Sequence, residues 1–201
     1  YRTSFKDDTI DDFPVTVVIS ENGWIRSYKG HNLESNAFKF RDGDGVKFMA
    51  QLSRSQQLLF ITSEGRSFSL SLDQLSKDKG YGEPLNLMIG TGNVSSIVNI
   101  VPYCKEHKGL IFSKNGLGFT VDFSSLQSST KTGKKIFELS AGDEVVGFKE
   151  ITGDHIIVLS SSFKMLIFLV KELPLLKKGK GVRLQRYKEE FLLDVMLFSQ
   201  N

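Results

Sequence analysis

Four stretches of this chain superimpose on one another, and a chain built from such a repeat folds as an array of like units. They are VVISENGWIRSY (17–28), LFITSEGRSFSL (59–70), LIFSKNGLGFTV (110–121) and IVLSSSFKMLIF (157–168). Their turn positions are Gly23, Gly65, Gly116 and Phe163, spaced 42, 51 and 47 residues apart. Three places before each stands a hydroxyl residue: Ser20, Thr62, Ser113 and Ser160. Four places before stands an apolar one: Ile19, Ile61, Phe112 and Leu159. Ten places after stands a leucine: Leu33, Leu75, Leu126 and Leu173.

Each repeat reads as a β-hairpin. Apolar residues run up to a polar turn such as SENG or SKNG, which supplies the small residues tight hairpins need. The second strands alternate. In RSFSLSL (66–72), Phe68, Leu70 and Leu72 face one way and the serines the other, the two-residue period of a half-buried strand. In the fourth repeat Phe163 replaces glycine, so the sequence predicts a turn there without a turn type. Loops at 29–37, 76–84, 127–134 and 174–181 follow the hairpins. Further strand-like runs come next: FKF…GVKFMAQL, LNLMIG…SSIVNIV, KIFEL…EVVGFKEI and VRLQRY…FLLDVMLF. Each repeat thus carries about four strands at the period of propeller blades. Only short helical turns are expected, near 72–76, 123–127 and 171–175. The fold class is all-β, a β-propeller-like array of about four four-stranded repeats at roughly 14–56, 57–105, 106–154 and 155–201. A blade cannot bury both faces alone, so residues 14–201 are expected to form one domain, with 1–13 a linker or edge strand.

Composition narrows the functional classes. The net charge of +3 permits nucleic-acid binding without announcing it. Cys104 is the one cysteine, so neither a disulfide framework nor a four-ligand zinc site arises within the chain, and a reducing cytoplasm is the natural setting. The opening YRTSFKDDTIDDFP has no signal-peptide pattern, no apolar run is long enough to span a bilayer, and the first residue, Tyr1, suggests a piece of a longer protein.

Catalytic and metal readings find little support. His31, His107 and His155 are scattered, without partners at ligand or triad spacing. RDGDG (41–45) lacks the further carboxylates of an EF-hand and reads as a turn. No phosphate-cradling P-loop is present. Trp24 reads as strand packing, with a place beside Arg26 on a binding rim as the alternative.

The strongest charge cluster runs from 177 to 188: Lys177, Lys178, Lys180, Arg183, Arg186 and Lys188, with no acid up to that point. Fixed cations gain by releasing the counterions of phosphates, and neighbouring glycines let backbone N–H groups approach closely. A solvated basic loop accounts for this cluster alone equally well. Further basic groups at Arg26–Lys29–His31, Lys77–Lys79 and Lys131–Lys134–Lys135 tip the balance toward DNA, because recurrence at one point of each blade would line them along one rim. Glu34, Asp78 and Glu83 intrude, so moderate, salt-sensitive affinity is expected. No recognition helix, zinc finger or stacking platform is present, which points to backbone and shape readout.

Several motifs carry a resemblance to a known family. PVTVVISENGWIRSYKGHNLE (14–34), GRSFSL…GYGEPL (65–85), GLGF and TGKK in the third repeat, and MLIFLVKELPLLKKGKG (165–181) occur in the same order as in the C-terminal repeat family of bacterial gyrase and topoisomerase IV A subunits. The chain is more similar to the topoisomerase IV branch. The gyrase branch carries a Gln-Arg-Arg-Gly-Gly-Lys-Gly-type box for wrapping DNA in its first blade, and ESNAFKFRDGDG (34–45) has none. The resemblance implies a β-pinwheel whose blades exchange strands, either open or completed by a further composite blade. It implies a non-catalytic domain that binds and bends double-stranded DNA along a basic rim, within a type IIA topoisomerase that relaxes supercoils and decatenates. Partners implied are the rest of the A subunit, with the B subunit reached through it. No cofactor is implied for this domain. ATP and Mg2+ belong to other domains of the parent enzyme, as does the cleaving tyrosine. The implied location is cytoplasmic and nucleoid-associated, without membrane contact. The competing readings are a gyrase-type domain and a protein-interaction propeller. The latter is weakened by the lack of a WD dipeptide or kelch glycine doublets. A propeller enzyme would need a convergent set of acid, base or metal ligands, which is not apparent.

Overall fold

The computed structural model describes residues 12–75, 80–91 and 93–200. Each hairpin expected from the repeats is present: β1 (Pro14–Ser20) with β2 (Trp24–Lys29), β4 (Gln57–Thr62) with β5 (Arg66–Ser71), β8 (Lys108–Ser113) with β9 (Leu117–Asp122), and β12 (His155–Ser160) with β13 (Met165–Leu169).

The repeated hydroxyl has a structural reason. Ser20, Thr62, Ser113 and Ser160 are at most 2 % exposed. Each side-chain oxygen accepts the backbone N–H four residues on: Trp24 at 3.0 Å, Arg66 at 3.3 Å, Leu117 at 3.3 Å and Lys164 at 3.1 Å. Each main-chain carbonyl accepts the N–H of the turn residue: Gly23, Gly65, Gly116 and Phe163. That turn residue has positive φ in all four hairpins, including 63° at Phe163. The fourth turn therefore has the same conformation as the others, held by a residue for which it is strained.

A third strand returns along the far side of each first strand. These are β3 (Val46–Ser53), β7 (Ile97–Pro102), β11 (Val145–Glu150) and β15 (Leu192–Phe198), each antiparallel to its neighbour with a register shift at the bulge near the turn. β3 packs against β7, and β7 against β11, so these strands lie at the shared, inner side of the array. Phe60 and Phe68 anchor one buried cluster, and Phe119, Phe123, Phe137 and Phe148 another. The expected helical turns are a 3-10 turn at Leu72–Gln74, the four-residue helix α1 (Phe123–Leu126) and a 3-10 turn at Val170–Glu172. Leu75, Leu126 and Leu173, three of the four repeat leucines, are buried beside them.

The fourth strand of repeats two, three and four departs from the simplest expectation, and repeat one has none. It is two residues long, and it pairs in the sheet of the preceding repeat. β6 (Glu83–Pro84) adds to β2, β10 (Lys134–Lys135) to β5 and β14 (Val182–Arg183) to β9. The sheet orders are β3-β1-β2-β6, β10-β5-β4-β7, β11-β8-β9-β14 and, with three strands, β13-β12-β15. Strand-like runs at 38–40 and 85–90 in the sequence are not strands; Leu85–Leu87 is a 3-10 turn. Among the described residues, no packing of comparable extent joins the first sheet to the last, so the array is open. Among the same residues, no helix is long and apolar enough to cross a membrane.

Candidate nucleic-acid interface

The exchanged strands sit at the edge of each sheet opposite the inner strands, so they form the outer rim. In sheet two the rim is Lys134 and Lys135, both exposed, with Lys134 opposite Ser67 and Lys135 opposite Arg66. Arg66 Nη1 donates to Thr132 O at 3.3 Å, which holds its guanidinium beside the loop that carries Lys131. Lys134 Nζ donates to Ser125 O at 2.8 Å. In sheet three the rim is Val182 and Arg183, opposite Gly118 and Leu117.

These two rims are continuous. Glu138 N donates to Gly179 O at 2.9 Å, and Gly179 N to Ile136 O at 3.0 Å. Those bonds stitch the loop carrying Lys177, Lys178 and Lys180 to the segment directly after Lys134–Lys135. Seven exposed cations, Lys131, Lys134, Lys135, Lys177, Lys178, Lys180 and Arg183, thus share one stretch of rim. Glu138 lies 3.8 Å from Lys178, and with both side chains about half exposed it neutralises little of the field. Exposed Arg186 and Lys188 extend the patch past Arg183.

One of the basic groups expected on the rim is placed differently. Arg26 and Lys29 are on β2 itself, so this group is not equivalent to the other loops. Arg26 donates to Gly80 O and stacks over the Tyr28 ring at 4.4 Å. Lys29 lies 5.0 Å from the Phe13 ring, and His31 Nε2 bonds Leu52 O at 2.9 Å, both at the end of β2 away from β6. Lys77 and Lys79 lie outside the described residues. The first rim strand is Glu83–Pro84, so sheet one presents no basic outer strand.

Sequence reasoning does not single out Arg66 or Arg41. Arg66 gains its place only through the register of a strand from another repeat, which leaves no local signal. Arg41 stacks over the Trp24 ring at 4.1 Å and lies 5.6 Å from Tyr81. Trp24 is therefore half-buried between packing and a cation.

The acidic loop at 41–45 has a structural use. Asp44 Oδ1 accepts Asn22 N at 3.1 Å and Gly45 N at 2.9 Å. Asp143 does the same for Asn115 N at 3.0 Å and Glu144 N at 2.9 Å. Burial pushes the Asp44 carboxyl up, but the Ser20 hydroxyl, these backbone donors and Arg41 outweigh it and hold it below the usual carboxylate value. Lys164 and Ser162 hydrogen bonds likewise lower Glu190, so Lys164 is paired rather than free for phosphate. Tyr187 lies under the third hairpin turn, and its hydroxyl is buried without a hydrogen-bond partner. Desolvation, then the Glu190 charge, pushes it up to about 12.

Comparison with known proteins fits this geometry. The family model for "DNA gyrase C-terminal domain, beta-propeller" matches residues 56–81, 110–151 and 154–201, more than half of the chain. The DNA topoisomerase 4 A subunit of Rickettsia conorii is 36 % identical over 210 residues, covering 99 % of this chain and 28 % of the relative. That of Escherichia coli K12 is 30 % identical over 176 residues, covering 87 % of this chain and 23 % of the relative. The chain thus spans about a quarter of the length of these curated relatives. The solved structure of the E. coli ParC C-terminal domain superimposes with a TM-score of 0.83 at 28 % identity, covering 91 % of this chain and 78 % of that one. With its open array of strand-exchanging sheets and these matches, the chain belongs to the family of DNA gyrase C-terminal β-propeller domains.

Proposed function

We propose that this chain is the non-catalytic DNA-binding domain of a topoisomerase IV A subunit, which holds and bends duplex DNA along its basic rim. The observation that carries this reading is the continuity of Lys131–Lys135 with Lys177–Arg183, joined by the backbone bonds at Gly179. A line of cations at sheet edges suits a phosphate backbone, which repeats its charges regularly and asks for no base readout. The curated relatives are named as topoisomerase IV A subunits, which favours that branch. The 34–45 segment of the first repeat also fits it. Its acids Asp42 and Asp44 stand where a wrapping box would need cations, and Asp44 is committed to the hairpin. In the parent enzyme the domain selects the DNA segment for relaxation and decatenation. Its partners there are the B subunit together with the rest of its own polypeptide. ATP and Mg2+ act in other domains, in the bacterial cytoplasm at the nucleoid.

The test is a duplex-binding titration over salt with linear, positively supercoiled and negatively supercoiled DNA. If about six phosphates are contacted, log K falls against log salt with a slope of about −5. Reversing Lys134→Glu and Lys135→Glu lowers affinity and flattens that slope by about 2, with an unchanged melting temperature. A slope near zero for the native chain overturns the reading.

A further inference from the structure

Each exchanged strand enters its sheet through the same joint, and the joint makes the rim positions of the first three sheets equivalent. A glycine with positive φ comes first: Gly82 at 96°, Gly133 at 72° and Gly181 at 72°. Two strand residues follow, then a buried aliphatic side chain, Leu85, Ile136 or Leu184. The two strand residues pair with the first two residues after the hairpin turn. The row beside the turn is therefore Lys135 against Arg66 in sheet two and Arg183 against Leu117 in sheet three. In sheet one it is Pro84 against Trp24. Where sheets two and three place a cation, sheet one places an uncharged ring, with the acid Glu83 beside it.

The other cations of the first repeat do not take that place. Trp24, Arg26 and Tyr28 alternate along β2 and so share one face of the sheet. Residues 38–41 lie on that face. The Phe38 ring meets Tyr28 at 5.1 Å, Lys39 N donates to Tyr28 Oη at 3.0 Å, and Arg41 stacks over Trp24 at 4.1 Å. Lys39 and Arg41 are thus carried on the face of sheet one and not on its outer edge. Arg26, on the same face, is engaged with Gly80 O and the Tyr28 ring.

The backbone does not ask for proline here. Pro84 has φ −62° and ψ 124°, an extended conformation open to lysine as much as to proline. What distinguishes the position is its chemistry. Phosphates follow fixed cations, and at physiological salt an exposed charge is felt over only about 8 Å. A sheet edge that lacks a cation at the row used by its two neighbours, and carries an acid next to it, therefore gives a duplex nothing to follow.

We infer that Pro84, with Glu83 beside it, is the end stop of the DNA track. It confines the duplex to the rims of sheets two and three and sets the length of DNA the domain holds. The inference rests on the DNA reading above and makes Pro84 a specificity-determining position. Giving sheet one the cation that its neighbours have lets the duplex continue over it.

The chain has one tryptophan, and it stands opposite Pro84, so its fluorescence reports on sheet one. A labelled duplex is titrated into the chain over a range of salt. Anisotropy gives overall binding, and acrylamide quenching of Trp24 tells whether DNA covers sheet one. In the native chain saturated with duplex, Trp24 is expected to stay as open to acrylamide as in the free chain. Pro84→Lys steepens the salt slope by about 0.9, and Glu83→Lys with Pro84→Lys, which copies Lys134–Lys135, by about 2. In both variants DNA shields Trp24. Met49→Lys adds the same charge on the inner strand β3, where Met49 is 52 % exposed, and leaves the slope unchanged. Shielding of Trp24 in the native chain overturns the inference, because sheet one then already lies on the track, and this measurement stands whatever the stability of the variants. A native slope in a Pro84→Lys protein of native melting temperature overturns it too, as does equal steepening in Met49→Lys. Failure of the DNA reading looks different: the native chain binds no duplex, or binds it with a slope near zero.

Discussion

A buried hydroxyl three places before a turn costs desolvation unless something uses it, and in this chain it is used four times in the same way. Ser20, Thr62, Ser113 and Ser160 each take the N–H that the turn would otherwise leave without a partner. Replacing one removes the acceptor and leaves a buried donor. Ser113→Ala is therefore expected to cost about 1–3 kcal/mol, read from denaturant unfolding, while Ser124→Ala on an exposed site changes stability by less than about 0.5 kcal/mol. Tyr187 makes a pH-dependent contribution nearby. Its hydroxyl is raised from 10.0 to about 12, so the folded state keeps its proton where the unfolded state loses it. That contribution is whole below pH 10 and is lost as pH rises toward 12. Chemical unfolding at a series of alkaline pH values should show a decline in stability that is shallower in Tyr187→Phe. Identical pH profiles for the two proteins would contradict the assignment.

At the scale of elements, the sequence makes the hairpins legible and conceals the strands that complete them. The hairpins announce themselves because turn, hydroxyl and alternation lie within a dozen residues. β6, β10 and β14 are two residues each, too short for any period, and their partners lie tens of residues away. What can be seen in the sequence is their glycine, as GYGEP, TGKK and GKGVR, and the chemistry of that glycine becomes clear only when the neighbouring backbone is in place. The candidate site inherits the same division. Lys134, Lys135 and Arg183 are recognisable as basic residues, but their position on an outer rim follows from strand exchange. Arg66 joins them through the register Lys135↔Arg66 alone. The Arg26–Lys29–His31 group looks equivalent by composition and is not, because counting from the turn puts Arg26 and Lys29 on β2 rather than in the following loop.

At the scale of the molecule, rim and fold depend on the same joints. Each outer strand is held by the repeat that follows, so breaking one joint disturbs two sheets and removes rim cations from their place. Gly181→Val tests this. It forces a β-branched residue into positive φ, at about 1–3 kcal/mol. It also pushes against Gly118 O and the Phe119 ring. If Leu184 is levered out of its cluster as well, a further ~1.5–3 kcal/mol of burial is lost. The expected result is a lower melting temperature in a single transition, with faster amide exchange at 117–119 and around Leu184 together. Duplex affinity falls in the same variant although no charge has been changed, because Arg183 leaves its line with Lys134 and Lys135. Two separated transitions, or native affinity in a protein whose sheet-three edge has opened, would show that the repeats fold independently and that the DNA track does not follow the exchanged strands.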